Sequence, residues 1–155
     1  MTSRGTTAST CTAPSTSRLP TLSAEQQVAR CFAIVTPPHC NTYVDRAILR
    51  ATRGDHAGAK PDLDVILART CRDPEGLNIL YLIDLALLLA VEHSRDAEAI
   101  FGVADAACHG AEWCQRRLGE ARAEATKAQE EAKKRKPPPA SRANPQPAMG
   151  DQPKQ

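Results

Sequence analysis

Four adjacent bases, Lys133, Lys134, Arg135 and Lys136, followed by three prolines, are the most function-like residues in the sequence. A cluster of this kind suits the acidic pockets with which nuclear import receptors read basic signals. It equally suits RNA, DNA or an acidic membrane surface. The structural alternative is a solvated helix end, where bases complement the negative pole of the helix dipole. Arg116-Arg117 lies further upstream than a usual bipartite signal allows and is set aside.

A second set of reactive types is made of thiols and imidazoles. The six cysteines are Cys11, Cys31, Cys40, Cys71, Cys108 and Cys114. Structural zinc takes four nitrogen or sulfur ligands, usually from two close pairs such as Cys-x₂₋₄-Cys. The candidate ligands are His39, Cys40, Cys108, His109 and Cys114. No Cys-x-x-Cys is present, and a predicted helix break separates Cys108 from Cys114, so no metal and no cofactor is expected. Residues 1–20 lack the apolar stretch of a secretory signal. The thiols are therefore expected to be free, several of them on apolar helix faces, in a reducing compartment.

Asp84 is the third feature. It interrupts an otherwise apolar segment, so it is expected to be a buried acid that needs a partner. Tyr43, Arg46, Arg50 and Tyr81 are the candidates, and a structural pair outweighs a catalytic acid. No Gly-rich phosphate loop, nucleophile elbow or His-Glu-x-x-His motif occurs, so no enzymatic activity and no catalytic residue is expected. Arg53-Gly54-Asp55 spells the integrin-binding tripeptide, but it falls at a predicted helix end where Gly54 already serves as the stop.

The elements that must carry these residues are helices. Aromatic residues make up only 3% of the chain, so the core must be built from Leu, Ile, Val and Ala, which suits a helical bundle better than a β-sandwich. Residues 1–22 are rich in Ser and Thr, lack apolar periodicity and are expected to be a disordered arm. Their acid-free, Arg-containing composition also fits a transit peptide, though without an amphipathic helix. Ser23 and Gln26 form a capping box. Val28, Cys31, Phe32 and Val35 then mark one helix face, ended by Pro37-Pro38. Asn41 is a candidate cap for a second helix, stopped by Gly54. A third is expected to begin near Pro61-Asp62 and to break at Asp73-Pro74-Glu75-Gly76.

Residues 77–92 are apolar nearly all round, and a helix apolar on every face is buried on every face. Ser94 is expected to cap a fifth helix, and a sixth starts near Ala111, with Trp113, Leu118 and Ala121 as apolar contacts. Beyond Ala121 the apolar face dwindles to alanines, so residues 123–136 are expected to project as a basic, solvated helix. Residues 137–155 are Pro- and Gln-rich and expected to be disordered.

The fold class is therefore all-α: a five- or six-helix bundle, residues 23–122, around a central apolar helix (77–92), with disordered tails. Residues 25–122 hold 11 Lys and Arg against 14 Asp and Glu, whereas both flanks are basic. Any pull on RNA or DNA would thus come from the tails. The leading expectation is a non-enzymatic protein-protein interaction protein, an adaptor or regulator. Its partner is unidentified, an import receptor would read the basic run, and the alanine face of the sixth helix could support self-association. A nucleic-acid-binding accessory protein, viral in coding style, is the first alternative, and a small zinc-binding module the second. No segment reaches the length of a membrane span. The location expected is nuclear or cytoplasmic, and not secreted.

Overall fold

The Ser23 backbone N–H donates to Gln26 Oε1 at 2.9 Å, and the Gln26 N–H donates back to Ser23 Oγ at 3.2 Å. This reciprocal pair opens the first helix as the spacing predicts. The computed structural model describes residues 23–34 and 37–135. The arm at 1–22, the tail at 137–155 and Lys136 lie outside the described residues. Within them the chain is all-α, with six helices and no strand. The helices are α1 (Ala24–Ile34), α2 (Cys40–Thr52), α3 (His56–Ala68), α4 (Ile79–Leu89), α5 (Ser94–Ala107) and α6 (Glu112–Lys134). A single 3₁₀ turn, Pro74–Gly76, lies between α3 and α4.

Two hairpins make the body. α2 packs on α3 and α4 packs on α5; α2 and α4 join the pairs, α1 lies on α2, and α6 closes over α4 and α5. Gly54 ends the first turn with a φ of +78°, a conformation that costs glycine nothing. Leu63, Ile66, Leu82, Leu85, Phe101 and Leu118 are fully buried and fill the space between the layers.

Local starts differ from the sequence reading in several places, each for a visible reason. α3 begins at His56, five residues before Pro61, because the Asp55 carboxylate accepts the Gly58 N–H at 2.8 Å and caps the helix earlier. Pro61 then sits inside the helix. Asn41 does not cap α2. Its side chain instead accepts from the Asn78 N–H and donates to the Gly76 carbonyl, both at 2.8 Å, tying the start of α2 to the start of α4. The cap of α4 is Asn78, which accepts from Tyr81 N. Ser94 does not cap α5 but is its first residue, because the His93 carbonyl already accepts the Ala97 N–H at 3.0 Å.

The central helix also needs correction. α4 spans Ile79–Leu89, and its inner side carries Leu82, Ile83, Leu85, Ala86 and Leu89. Its outer line is open: Leu80 is 50% exposed and Leu88 42%, and Asp84 between them is exposed as well. Its partners α2, α5 and α6 leave that fourth side to solvent. α6, in turn, stays docked further than expected. Ala121 and Ala125 are buried, and Gln129 Nε2 donates to the Ala90 carbonyl at 2.7 Å. Trp113, expected as a core contact, is 53% exposed.

Candidate functional site

Disulfides decide the fate of the thiol residues. Cys40 pairs with Cys71, with Cα atoms 4.9 Å apart, and Cys108 pairs with Cys114 at 5.6 Å. Both separations lie in the range a disulfide requires. Cys31 is disulfide-bonded too, so no described cysteine is free. The expectation of free thiols is overturned. The Cys40–Cys71 bond sits beside a short backbone bridge in which Cys40 N donates to Arg72 O and Arg72 N to Pro38 O. It anchors the end of α3 to the start of α2. The Cys108–Cys114 bond pins the tight turn from α5 to α6, where Gly110 has a φ of +77°.

These bonds also dissolve the proposed zinc set. Cys40, Cys108 and Cys114 have no thiolate to offer. His109 is exposed and faces Glu75 at 3.9 Å, while His39 precedes α2 and makes no side-chain cap bond there. One group of potential metal ligands does assemble among the described residues, from His56, Glu92 and His93. None of these three was among the candidate ligands read from the sequence.

Asp84 is not the buried acid. That role belongs to Asp62, which is fully buried in α3. Two arginines of α2, one turn apart, grip it. Arg46 donates from Nε at 2.9 and 3.1 Å and from Nη2 at 2.6 Å, and Arg50 Nη1 adds a bond at 3.1 Å. Arg50 also donates to the Gly58 carbonyl at 2.6 Å. The guanidinium of Arg46 lies 3.8 Å from the centre of the Phe32 ring, which meets Tyr43 edge-on. So the two arginines named as partners for a buried acid do clasp one, but on a different helix. A groove of about 450 Å³ opens over this clasp between α1 and α2, lined by Val28, Phe32, Leu49 and Arg53 among others. Arg53 is paired with Glu25 across it.

The outward line of α4 is the remaining feature. Leu80, Asp84, Leu88 and Val91 recur at the spacing of one helix face. Five large apolar side chains are exposed among the described residues; Leu80 and Leu88 lie on this line of α4, and Val91 follows in the turn after it. No ion pair of Asp84 occurs among the described residues. Burial pushes the neighbouring Tyr81 phenol up from its ordinary value, and the Asp45 and Asp84 carboxylates add to the rise. The ridge thus has an acidic flank. Its far end, Val91, shares a shallow depression with Ser94, Gln129, Ala132 and Lys133. Lys133, Lys134 and Arg135 are exposed at the end of α6.

No described helix is long and apolar enough to cross a membrane. No family model, no curated protein and no solved structure matches the chain.

Proposed function

We propose that this chain is a non-enzymatic protein-interaction domain that binds a partner along the outer ridge of α4. The observation that carries this reading is the alignment of Leu80 and Leu88 on one exposed line of α4 with Asp84 between them, continued by the exposed Val91 in the turn that follows. Isolated exposed leucines are ordinary, but aligned ones form the kind of patch that proteins cover with a partner. The partner's chemistry follows from the ridge: an apolar strip carrying a basic side chain to meet Asp84. Self-association through α6 has less to draw on, since Ala125 of its alanine face is buried and only Ala128 and Ala132 stay half-buried.

The disulfides bear on where this happens. Such bonds persist in oxidising compartments and are rare in the cytosol and nucleus. They favour a lumenal or extracellular setting over the nuclear or cytoplasmic one expected from the sequence. The basic run then reads better as a contact for polyanions than as an import signal. Polyanion binding would weaken steeply with salt and vanish when Lys133, Lys134, Arg135 and Lys136 become Ala.

Affinity capture under non-reducing conditions tests the ridge. Wild type, Leu80→Glu/Leu88→Glu and Asp84→Lys are compared, with circular dichroism confirming that each is folded. A partner retained by wild type and lost by both folded variants is the result expected. A partner set unchanged by both variants would remove the ridge from the function.

A further inference from the structure

We propose that His56, Glu92 and His93 form a binding site for a divalent transition-metal ion of the zinc class. The three side chains come from two places in the chain. His56 is the first residue of α3, and Glu92-His93 occupy the turn between α4 and α5. Each can present one ligand atom such that all three lie within 4.8 Å of one another. Zinc bonds to nitrogen and oxygen are about 2.0–2.1 Å, so the edges of a tetrahedral site are about 3.3–3.4 Å. His56 Nε2 and Glu92 Oε2 are already 3.5 Å apart. The remaining closure is toward His93, across at most 4.8 Å. The Glu92 side chain, 72% exposed, is free to turn with it.

The backbone beneath the imidazoles is fixed. Asp55 caps the turn that carries His56. The His93 N–H donates to Leu89 O at 2.8 Å, and the His93 carbonyl accepts from Ala97 N at 3.0 Å. One turn further along each helix, Lys60 bridges to Asp96 at 3.1 Å and holds α3 against α5. Its ammonium also meets Asp64, so that charge is neutralised locally. The two rings pack with centroids 4.1 Å apart. Nδ1 of His56 is buried without a hydrogen-bond partner. The ligand edge of His56 is the opposite nitrogen, Nε2, which faces Glu92.

The donor set selects the metal. Two imidazoles and one carboxylate match zinc and its neighbours, whereas calcium and magnesium take oxygen ligands. Three protein ligands leave one position for water, the open arrangement of zinc sites. A bound ion would cross-link α3 to the α4–α5 turn.

The test uses the oxidised, full-length chain without a histidine tag, stripped with a chelator. It is titrated with Zn²⁺ by calorimetry, and with Co²⁺ followed by its visible spectrum. One ion per chain is expected. His56→Gln, Glu92→Gln and His93→Gln should each weaken Zn²⁺ at least as much as losing an outer-shell group does, about 10- to 100-fold. His39→Gln/His109→Gln changes the other two of the four histidines and should bind as wild type does. Because Glu92 is largely exposed, Glu92→Gln reads the site even if a histidine variant unfolds. Uptake of less than one ion, or undiminished affinity in Glu92→Gln and in a folded His56→Gln/His93→Gln, would overturn the proposal.

Discussion

Removing both arginines that hold Asp62 should destabilise the domain more than neutralising Asp62 itself. The asymmetry comes from exposure. The Asp62 side chain is 1% exposed, while those of Arg46 and Arg50 are 32% and 33% exposed. Arg46→Met/Arg50→Met strands a buried carboxylate with no cation, a change that typically costs about 3–5 kcal/mol. Asp62→Asn keeps the shape and an acceptor oxygen, and leaves two arginines whose heads can turn toward water. Its cost should be that of lost charge assistance, about 1–2 kcal/mol. Arg46 gives three of the four contacts to Asp62, so Arg46→Met alone should cost more than Arg50→Met alone. Part of the Arg46 effect is its cation–π contact with Phe32, worth about 0.5–1 kcal/mol near a surface. Phe32→Leu measures that part. Urea unfolding followed by circular dichroism supplies all five values. If Asp62→Asn costs as much as the double arginine variant, the argument from burial is wrong.

Other outcomes follow from the same packing. Replacing Cys40 and Cys71 with Ala opens a loop spanned by a separation of 31 residues and should cost about 3.7 kcal/mol by loop-closure entropy. The pair Cys108 and Cys114, separated by 6, should cost about 2.4 kcal/mol, and a reversed order in urea midpoints would count against the entropic account. Leu85→Asp should unfold the domain, because Leu85 is fully buried, whereas Leu88→Asp on the open line should melt within a few degrees of wild type. Stability should fall in alkali. Burial raises Tyr81 above its ordinary 10.0, and bonds to Asp96 and Asp64 raise Lys60 above 10.5. The folded chain then holds more protons than the unfolded one once pH exceeds those ordinary values, so stability declines as pH climbs through the folded ones. Tyr81→Phe should flatten the tyrosine share of that decline, and a urea midpoint rising with alkali would contradict the sign.

What the sequence revealed was local. The Ser23–Gln26 box and the Gly54 stop depend on residues three or four apart, so they were readable before any packing was known. The bundle class was readable from periodicity and from the scarcity of aromatics. Positions that depend on a neighbouring helix were not readable in the same way. Asp62 looked like an ordinary polar residue in an early turn, and only the crossing of α2 over α3 brings Arg46 and Arg50 onto it. Asp84 was misassigned because an all-apolar helix does not declare which side faces water. Its single acid was the clue, since Leu80 and Leu88 share its line. The cysteine pairs and the His56, Glu92 and His93 group are tertiary contacts with no spacing signature. The free-thiol reading rested on residues 1–20, which carry no information about Cα distances elsewhere.

The pairing of the cysteines underlies the compartment, the loss of the earlier zinc candidates and the anchoring of α2, α3, α5 and α6. Peptide mapping of the protein from its native source, alkylated and digested without reduction, tests it most directly. Peptides linking Cys40 to Cys71 and Cys108 to Cys114, with Cys31 unalkylated, are the result this structure predicts. Full alkylation of these cysteines in the native protein would contradict it and return the domain to a reducing compartment.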